Sequence, residues 1–213
     1  MNSANPVCQA IFPSAYFPSL AYLSELLKFD SIEIEIHESF PKQTIRNRCT
    51  ILSANGLLNL TVPVVKIHGN KTKTCDIEIF NNEPWQLKHF RAIESAYKSS
   101  PFFDHYIHFF ERIFHQKYDN LIDLNEEILQ IILGRLKLKK TISFTTTFEK
   151  ESGNIVDHRS TFNTKSLSYG LHYKPYNQVF SDRFAFQSNV SFLDLLFNEG
   201  PNALLYLQMN RKY

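Results

Sequence analysis

The fold class this sequence predicts is α/β: a mixed sheet with a Rossmann-like N-terminal βαβ start and a helical layer. Three observations carry the prediction. Residues 7–12 (VCQAIF), 19–29 (SLAYLSELLKF) and 31–36 (SIEIEI) read as strand, helix and strand, within the roughly thirty residues of one βαβ unit. Asn55-Gly56 stands between two β-prone runs, a strong signal for an antiparallel hairpin. From residue 83 to 137 the apolar spacing turns helical, which supplies the layer.

Each element has its own reason. The first apolar run ends at Pro13, so a buried strand enters a loop there. Leu20, Leu23 and Leu27, with Tyr22 and Leu26, repeat at helical spacing behind Ser19, a good N-cap. SIEIEI alternates isoleucine with serine or glutamate, the period of a strand with one wet face. RNRCTILSANGLLNLTVPVV makes the hairpin, and TCDIEIF (74–80) reads as a further strand, so that antiparallel members join the sheet. EPWQLKHFRAIESAYKSS, FFDHYIHFFERIFHQ and NLIDLNEEILQIILGRLKL are three amphipathic helices, the last stopping near Gly134 or soon after. TISFTTTF (141–148) is a strand by its β-branched and aromatic content. Residues 149–168 are polar and weakly periodic, hence a loop and the segment expected to move most; SFLDLLFNEG and NALLYLQ then give two helical pieces broken at Gly200-Pro201. The chain is expected to form a single domain over 1–213, with a core over 7–148 and a C-terminal appendage over 149–213, and it has no internal repeats.

Composition excludes some functions. With 23 Lys+Arg against 21 Asp+Glu there is no basic excess of the kind a general nucleic-acid surface carries, so no nucleic-acid partner is expected. Cys8, Cys49 and Cys75 are odd in number and far apart, which fits neither a disulfide framework nor a zinc ribbon and points to a reducing compartment. The first residues carry no signal-peptide pattern and no apolar run reaches a membrane span, so the expectation is a cytoplasmic protein without one. His105, His108 and His115 lack metal-ligand spacing, and no metal is assigned; no G-x-S-x-G elbow supports serine catalysis.

The chemistry-bearing residues cluster in IHESFPKQTIRNRCTI (36–51). On a strand, Arg46 and Arg48 would share a face, with Lys42 arriving from the preceding turn, a fork suited to phosphate or carboxylate. The alternative is that these cations pair with Glu33, Glu35 or Glu38. His37 and Glu38 fall at a strand end, where open α/β sheets place their ligands, and His37 titrates near working pH. It is a candidate proton carrier, or a hydrogen-bonded structural histidine. The loop PSAYFPS (13–19) opens a helix whose N-terminus would attract phosphate, yet without glycine it is no P-loop. Trp85 and His89 share a helix face, either to stack on a sugar or to fill the core.

IFPSAYFPSLAYLSELLKFDSIEIEIHESFPKQTIRNRCTILSANGLLNLTVPV, EPWQLKHFRAIESAYKSSPFFDHY and FLDLLFNEGP together resemble the WbqC-like protein family. The likeness lies in Tyr16, Phe17, Pro18 and Tyr22; in Lys42, Asn47 and Arg48; in the Leu60 to Val64 strand; and in the Pro84 to His89 helix start. It covers most of the chain in the same order. The resemblance implies a role in bacterial surface-polysaccharide or O-antigen biosynthesis, as an enzyme transferring an acyl or aminoacyl group to an activated amino sugar. His37 and Glu38 are then the catalytic candidates. Lys42, Arg46, Asn47 and Arg48 would hold the anion, and Tyr16, Trp85 and His89 the sugar. The partner is an anionic or sugar small molecule, with ATP or a nucleotide-linked sugar as a candidate substrate and no cofactor assigned. Longer members carry a Ser-Gly-x-x-Gly segment where this chain has FNTKSLSYGLHYKPYNQVF, with one glycine. That difference favours the rival reading, a noncatalytic binding or scaffold protein on the same fold.

Overall fold

The structure, a computed structural model, describes residues 9–151, 153, 155–162 and 173–209 of the 213. The chain opens with β1 (Gln9–Pro13), α1 (Leu20–Leu26) and β2 (Ser31–Glu35), and β1 and β2 run parallel. Ser19 caps α1 as its spacing predicts, its side chain accepting from the backbone N–H of Tyr22. In β2 the alternation works as read: Ile32 and Ile34 are buried, while Ser31 and Glu33 are partly exposed on the other face.

After β2 the chain leaves the sheet. The backbone N–H groups of Cys75 and Thr74 donate to the carbonyls of Ile36 and Glu38, and a 3-10 turn at Thr74–Asp76 thus closes off the continuation of β2. The hairpin β3 (Arg48–Ser53) and β4 (Gly56–Thr61) therefore stands as its own two-stranded sheet. β5 (Val64–Val65) and β6 (Glu78–Ile79) form another. The expectation that antiparallel strands join the main sheet is corrected: that sheet is parallel throughout, in the order β7-β2-β1-β8.

The helical layer comprises α2 (Trp85–Tyr97), α3 (Phe103–Tyr106), α4 (Glu111–His115) and α5 (Leu121–Arg135). The single helix expected over 102–116 is interrupted by a 3-10 turn at Ile107–Phe110, although its apolar spacing continues across the break. The sheet resumes with β7 (Thr141–Phe144) beside β2 and β8 (Val156–Asp157) beside β1. β8 lies in the segment read as a loop; a two-residue strand joined through its main chain leaves no side-chain period to read. Residues 152, 154 and 163–168 of that segment lie outside the described residues, as does Cys8.

α6 (Phe192–Glu199) and α7 (Ala203–Met209) end the described chain. Phe192, Leu195, Phe197 and Leu207 belong to the same core cluster as Phe12, Leu20 and Ile32, so the C-terminal helices are built into the core. Gly200 turns the chain between them at φ +51°, and a Cβ there would come 2.6 Å from the Phe102 ring.

Candidate functional site

At the C-terminal edge of the parallel sheet, where ligands are expected, the protein's own charges pair with one another beside a smaller pocket of about 140 Å³ lined by Glu33, Glu35, Thr145 and Arg159. Glu35 is wholly buried; its Oε1 accepts from the backbone N–H of His37 (2.7 Å) and of Glu38 (3.2 Å) and from Thr145 Oγ1 (3.0 Å). Its Oε2 meets Arg159 Nη1 at 3.1 Å, and Arg159 also grips Asp157 and the carbonyls of Glu149 and Lys150. Sequence reasoning missed both Glu35 as the hub and Arg159.

Arg46 is part of this closed edge. It lies in a turn before β3, not on a strand, and is 3% exposed. Its Nε donates to Glu38 Oε1 at 2.8 Å, Nη2 donates to the same oxygen, and Nη1 donates to Thr44 Oγ1 at 2.7 Å. Burial pushes the Glu38 carboxyl up and the Arg46 charge pulls it back. The expected shared face of Arg46 and Arg48 does not form, because the turn aims Arg46 inward. His37 is half-buried, with Nδ1 3.8 Å from Cys75 Sγ. Lys42 is exposed, and Asn47 donates to the Val62 carbonyl at 2.9 Å, fastening the base of the hairpin.

Arg48 points elsewhere. A cleft of about 590 Å³ lies between the hairpin, the loop after β1 and residues 187–191. In the β3/β4 register Thr50 faces Asn59, and Arg48 faces Thr61. Arg48, Thr50 and Asn59 line the cleft beside Leu57. Arg48 Nε donates to Thr61 Oγ1 at 3.1 Å, and its two terminal nitrogens have no partner among the described residues. Thr50 Oγ1 donates to Asn59 Oδ1 at 2.8 Å, which turns the Asn59 amide nitrogen outward as a further donor. Gln43, Gln187, Ser188 and Asn189 add amides and a hydroxyl to the lining. No carboxylate, imidazole or amine is among the described lining residues.

The third wall is held from behind. Gln178 and Gln187 bind each other twice, Nε2 to carbonyl (3.1 Å) and backbone N–H to Oε1 (2.9 Å), and Gln178 also donates to Asp194 Oδ1 at 2.9 Å. Asp194 is fully buried on α6, where burial raises its carboxyl pKa while Tyr176 donates to it at 2.6 Å. The Ser191 N–H reaches the Thr50 carbonyl at 2.7 Å, joining this wall to the hairpin. The same wall takes up the N-terminus of α1: Leu20 N–H donates to Val190 O and Ala21 N–H to Asn189 Oδ1. Those donors are therefore not offered to a phosphate, contrary to the expectation for this loop.

Tyr16, Trp85 and His89 do come together. Tyr16 lines the cleft, and its hydroxyl sits 2.9 Å from His89 Nδ1. The Thr61 backbone also meets His89 and acts to raise its pKa, against the larger effect of burial. Burial lowers the His89 pKa to about 4 and raises that of Tyr16, so both groups are neutral near pH 7. Trp85 is buried edge-on to both rings and donates to Asn81 Oδ1 at 3.4 Å. Trp85 and His89 thus back the cleft wall, and Tyr16 is the member that reaches it. No group of three potential metal ligands converges among the described residues.

A family model described as the WbqC-like protein family matches residues 14–170. The chain is 25% identical to a protein of Mycobacterium tuberculosis, Rv1507c, itself uncharacterized, over 92% of this chain and 93% of that one. No solved structure matches it significantly.

Proposed function

The chain belongs to the WbqC-like protein family, and from that premise we propose that it holds an activated, anionic amino sugar in the cleft and transfers an acyl or aminoacyl group to it. The setting is cytoplasmic synthesis of a bacterial surface polysaccharide. The observation that carries this reading is the Arg48 guanidinium, whose two terminal nitrogens are unpartnered among the described residues on the wall of a cleft whose other polar side chains are mainly amides and hydroxyls. A planar fork suits phosphate or carboxylate, and amides and hydroxyls suit sugar hydroxyls. The volume fits a small molecule, with the exposed Leu57 side chain as an apolar surface on its wall.

In the reaction the sugar amine attacks the carbonyl carbon of an activated acyl donor. A C–N bond replaces the bond to the donor's leaving group, and the amine proton leaves with that group. His37, the base expected from the sequence, is not among the described residues that line the cleft. Glu38 holds Arg46 and so fixes the turn leading to Arg48. Lys42 would add long-range attraction for the anion, and Asn47 keeps the hairpin base in place.

A noncatalytic binding protein is the second reading. It is favoured by the described lining, which contains no carboxylate, imidazole or amine. A thermal-shift screen against ATP and nucleotide-linked sugars, followed by mass analysis of any modified sugar, separates the three cases. A stabilising ligand whose effect is lost in Arg48→Ala, together with acylated product, supports the transferase. The same shift without product under any activated donor supports the binder. A cooperative melt with no shift removes the cleft from both.

A further inference from the structure

Among the described strands β4 is hydrogen-bonded to β3 alone, and its outer edge is open. The Thr50 carbonyl accepts from the Ser191 N–H, and the Leu52 N–H donates to the Tyr97 hydroxyl, so the main-chain groups of residues 50 and 52 point away from β4. In the antiparallel register their partners, Asn59 and Leu57, point away from β3 in the same way. The N–H and C=O of Leu57 and of Asn59 therefore face outward, and these four groups have no partner among the described residues. The open stretch ends at Thr61, whose backbone meets His89. Leu57 is 56% and Leu58 38% exposed, and Asn59 is exposed beside them. An unpaired edge is a template for another strand, and sheets commonly block it with lysine, proline or a bulge. β4 reads GLLNLT, carries no charge and pairs with β3 in unbroken register.

We propose that this edge pairs with β4 of a second copy of the chain, antiparallel about a two-fold axis at Leu58. In that register Leu57 exchanges both main-chain hydrogen bonds with Asn59 of the partner subunit, and Asn59 exchanges both with the partner's Leu57. The four bonds use the four open groups. A two-fold at Leu57 or Asn59 would instead set one of them against Asn55 or Thr61. Leu58 meets its own copy on the face away from the cleft, and Leu60 meets Gly56 of the partner subunit, which has no side chain to clash. The strands that meet are uncharged. Arg48, on β3, would stand three strand spacings, about 14 Å, from its copy, beyond a screening length of about 8 Å, so the guanidinium groups do not oppose the joint. What selects a second copy over another extended peptide is that the open groups repeat about one residue and that the joint sets leucine against leucine. Leu57 and Asn59 line the cleft, so each cleft gains the partner's Leu57 at its rim. The pairing does not rest on what the cleft binds.

Sedimentation of the whole chain without ligand, over a range of concentrations, is the test. The mass is expected to rise with concentration toward that of two chains. Leu58→Lys sets two ammonium groups against each other at the joint and should weaken the dimer about tenfold. Leu58→Glu should do the same, and an equal mixture of the two variants should restore a dimer, because residue 58 faces its own copy. Both variants are first shown to melt cooperatively; residue 58 lies outside the cleft lining, so the cleft is left as it is. A wild-type chain that stays monomeric up to its solubility limit would overturn the proposal. So would a dimer that folded Leu58→Lys leaves unchanged, or a mixture of the charged variants no heavier than either alone.

Discussion

Arg46 and Arg48 are two residues apart and use their charge in opposite ways. Arg46 lies in a turn, buried, with its guanidinium occupied by Glu38 and Thr44. Arg48 is on a hairpin face at the rim of a cleft, held through Nε alone. The same contrast separates the two regions they belong to. At the C-terminal edge of the sheet, Glu35, Arg159, Asp157 and Thr145 answer one another's hydrogen bonds. The cleft instead presents the two terminal nitrogens of Arg48, which have no partner among the described residues. A charge near a strand end is therefore not evidence of a ligand until its own partners are counted.

The largest predicted effect tests the closed side. Arg46→Ala would leave Glu38 buried without its cation and should cost about 3–5 kcal/mol in denaturant unfolding. A loss below about 1 kcal/mol would mean that the pair is solvent-screened and that the contrast fails.

Acid comes next. The folded-state pKa of His89 is below its unfolded value of roughly 6.5, so above that pH both states are neutral and nothing changes. As pH falls from 6.5 toward about 4, the unfolded chain takes up a proton and the folded one does not, and stability is lost, by about 3 kcal/mol over the full window. His158, also lowered by burial, works in the same direction; Glu38 and Asp194, raised by burial, oppose both at the acid end. The His89 share is the part of the slope between pH 7 and 5 that His89→Gln removes in urea titrations. An identical slope in that variant would place His89 in a more solvated setting than the back of the cleft.

His158 sharpens the comparison from a third direction. Both its ring nitrogens are buried without partners among the described residues, while the ring stacks on Phe12 at 4.6 Å. His158→Phe keeps the stacking and removes the orphan atoms, and should stabilise by about 1 kcal/mol. A destabilised variant would point to a partner for the imidazole. Smallest of all, Arg48→Ala should change stability by less than about 0.5 kcal/mol, because a partly exposed side chain loses one hydrogen bond.

The sequence announces the elements with strong periods. β1, α1, β2 and the Asn55-Gly56 hairpin follow from alternation, an N-cap serine and turn chemistry acting locally. What it conceals is pairing. Nothing in TIRNR tells that Arg46 turns inward to a glutamate eight residues earlier while Arg48 turns out, since that depends on a turn closed by Thr74 and Cys75. β8 is hidden because two residues cannot carry a pattern. The wall at 187–191 is a polar stretch with no period, placed by Gln178 and the buried Asp194; the signal for it is the unusual Asp in the otherwise apolar face of SFLDLLF. Of the candidate residues, Tyr16 and Arg48 line the cleft, Trp85 and His89 back it, and Glu38 and Arg46 bind each other.

The most direct test of the contrast is calorimetric titration of a uridine-diphosphate-linked amino sugar into the wild-type chain and into Arg48→Ala at equal ionic strength. The account predicts saturable binding that weakens about tenfold or more when the free guanidinium is removed, with the melting temperature of the unliganded protein nearly unchanged. Equal affinity in the two proteins would contradict it and leave the cleft without its anion anchor.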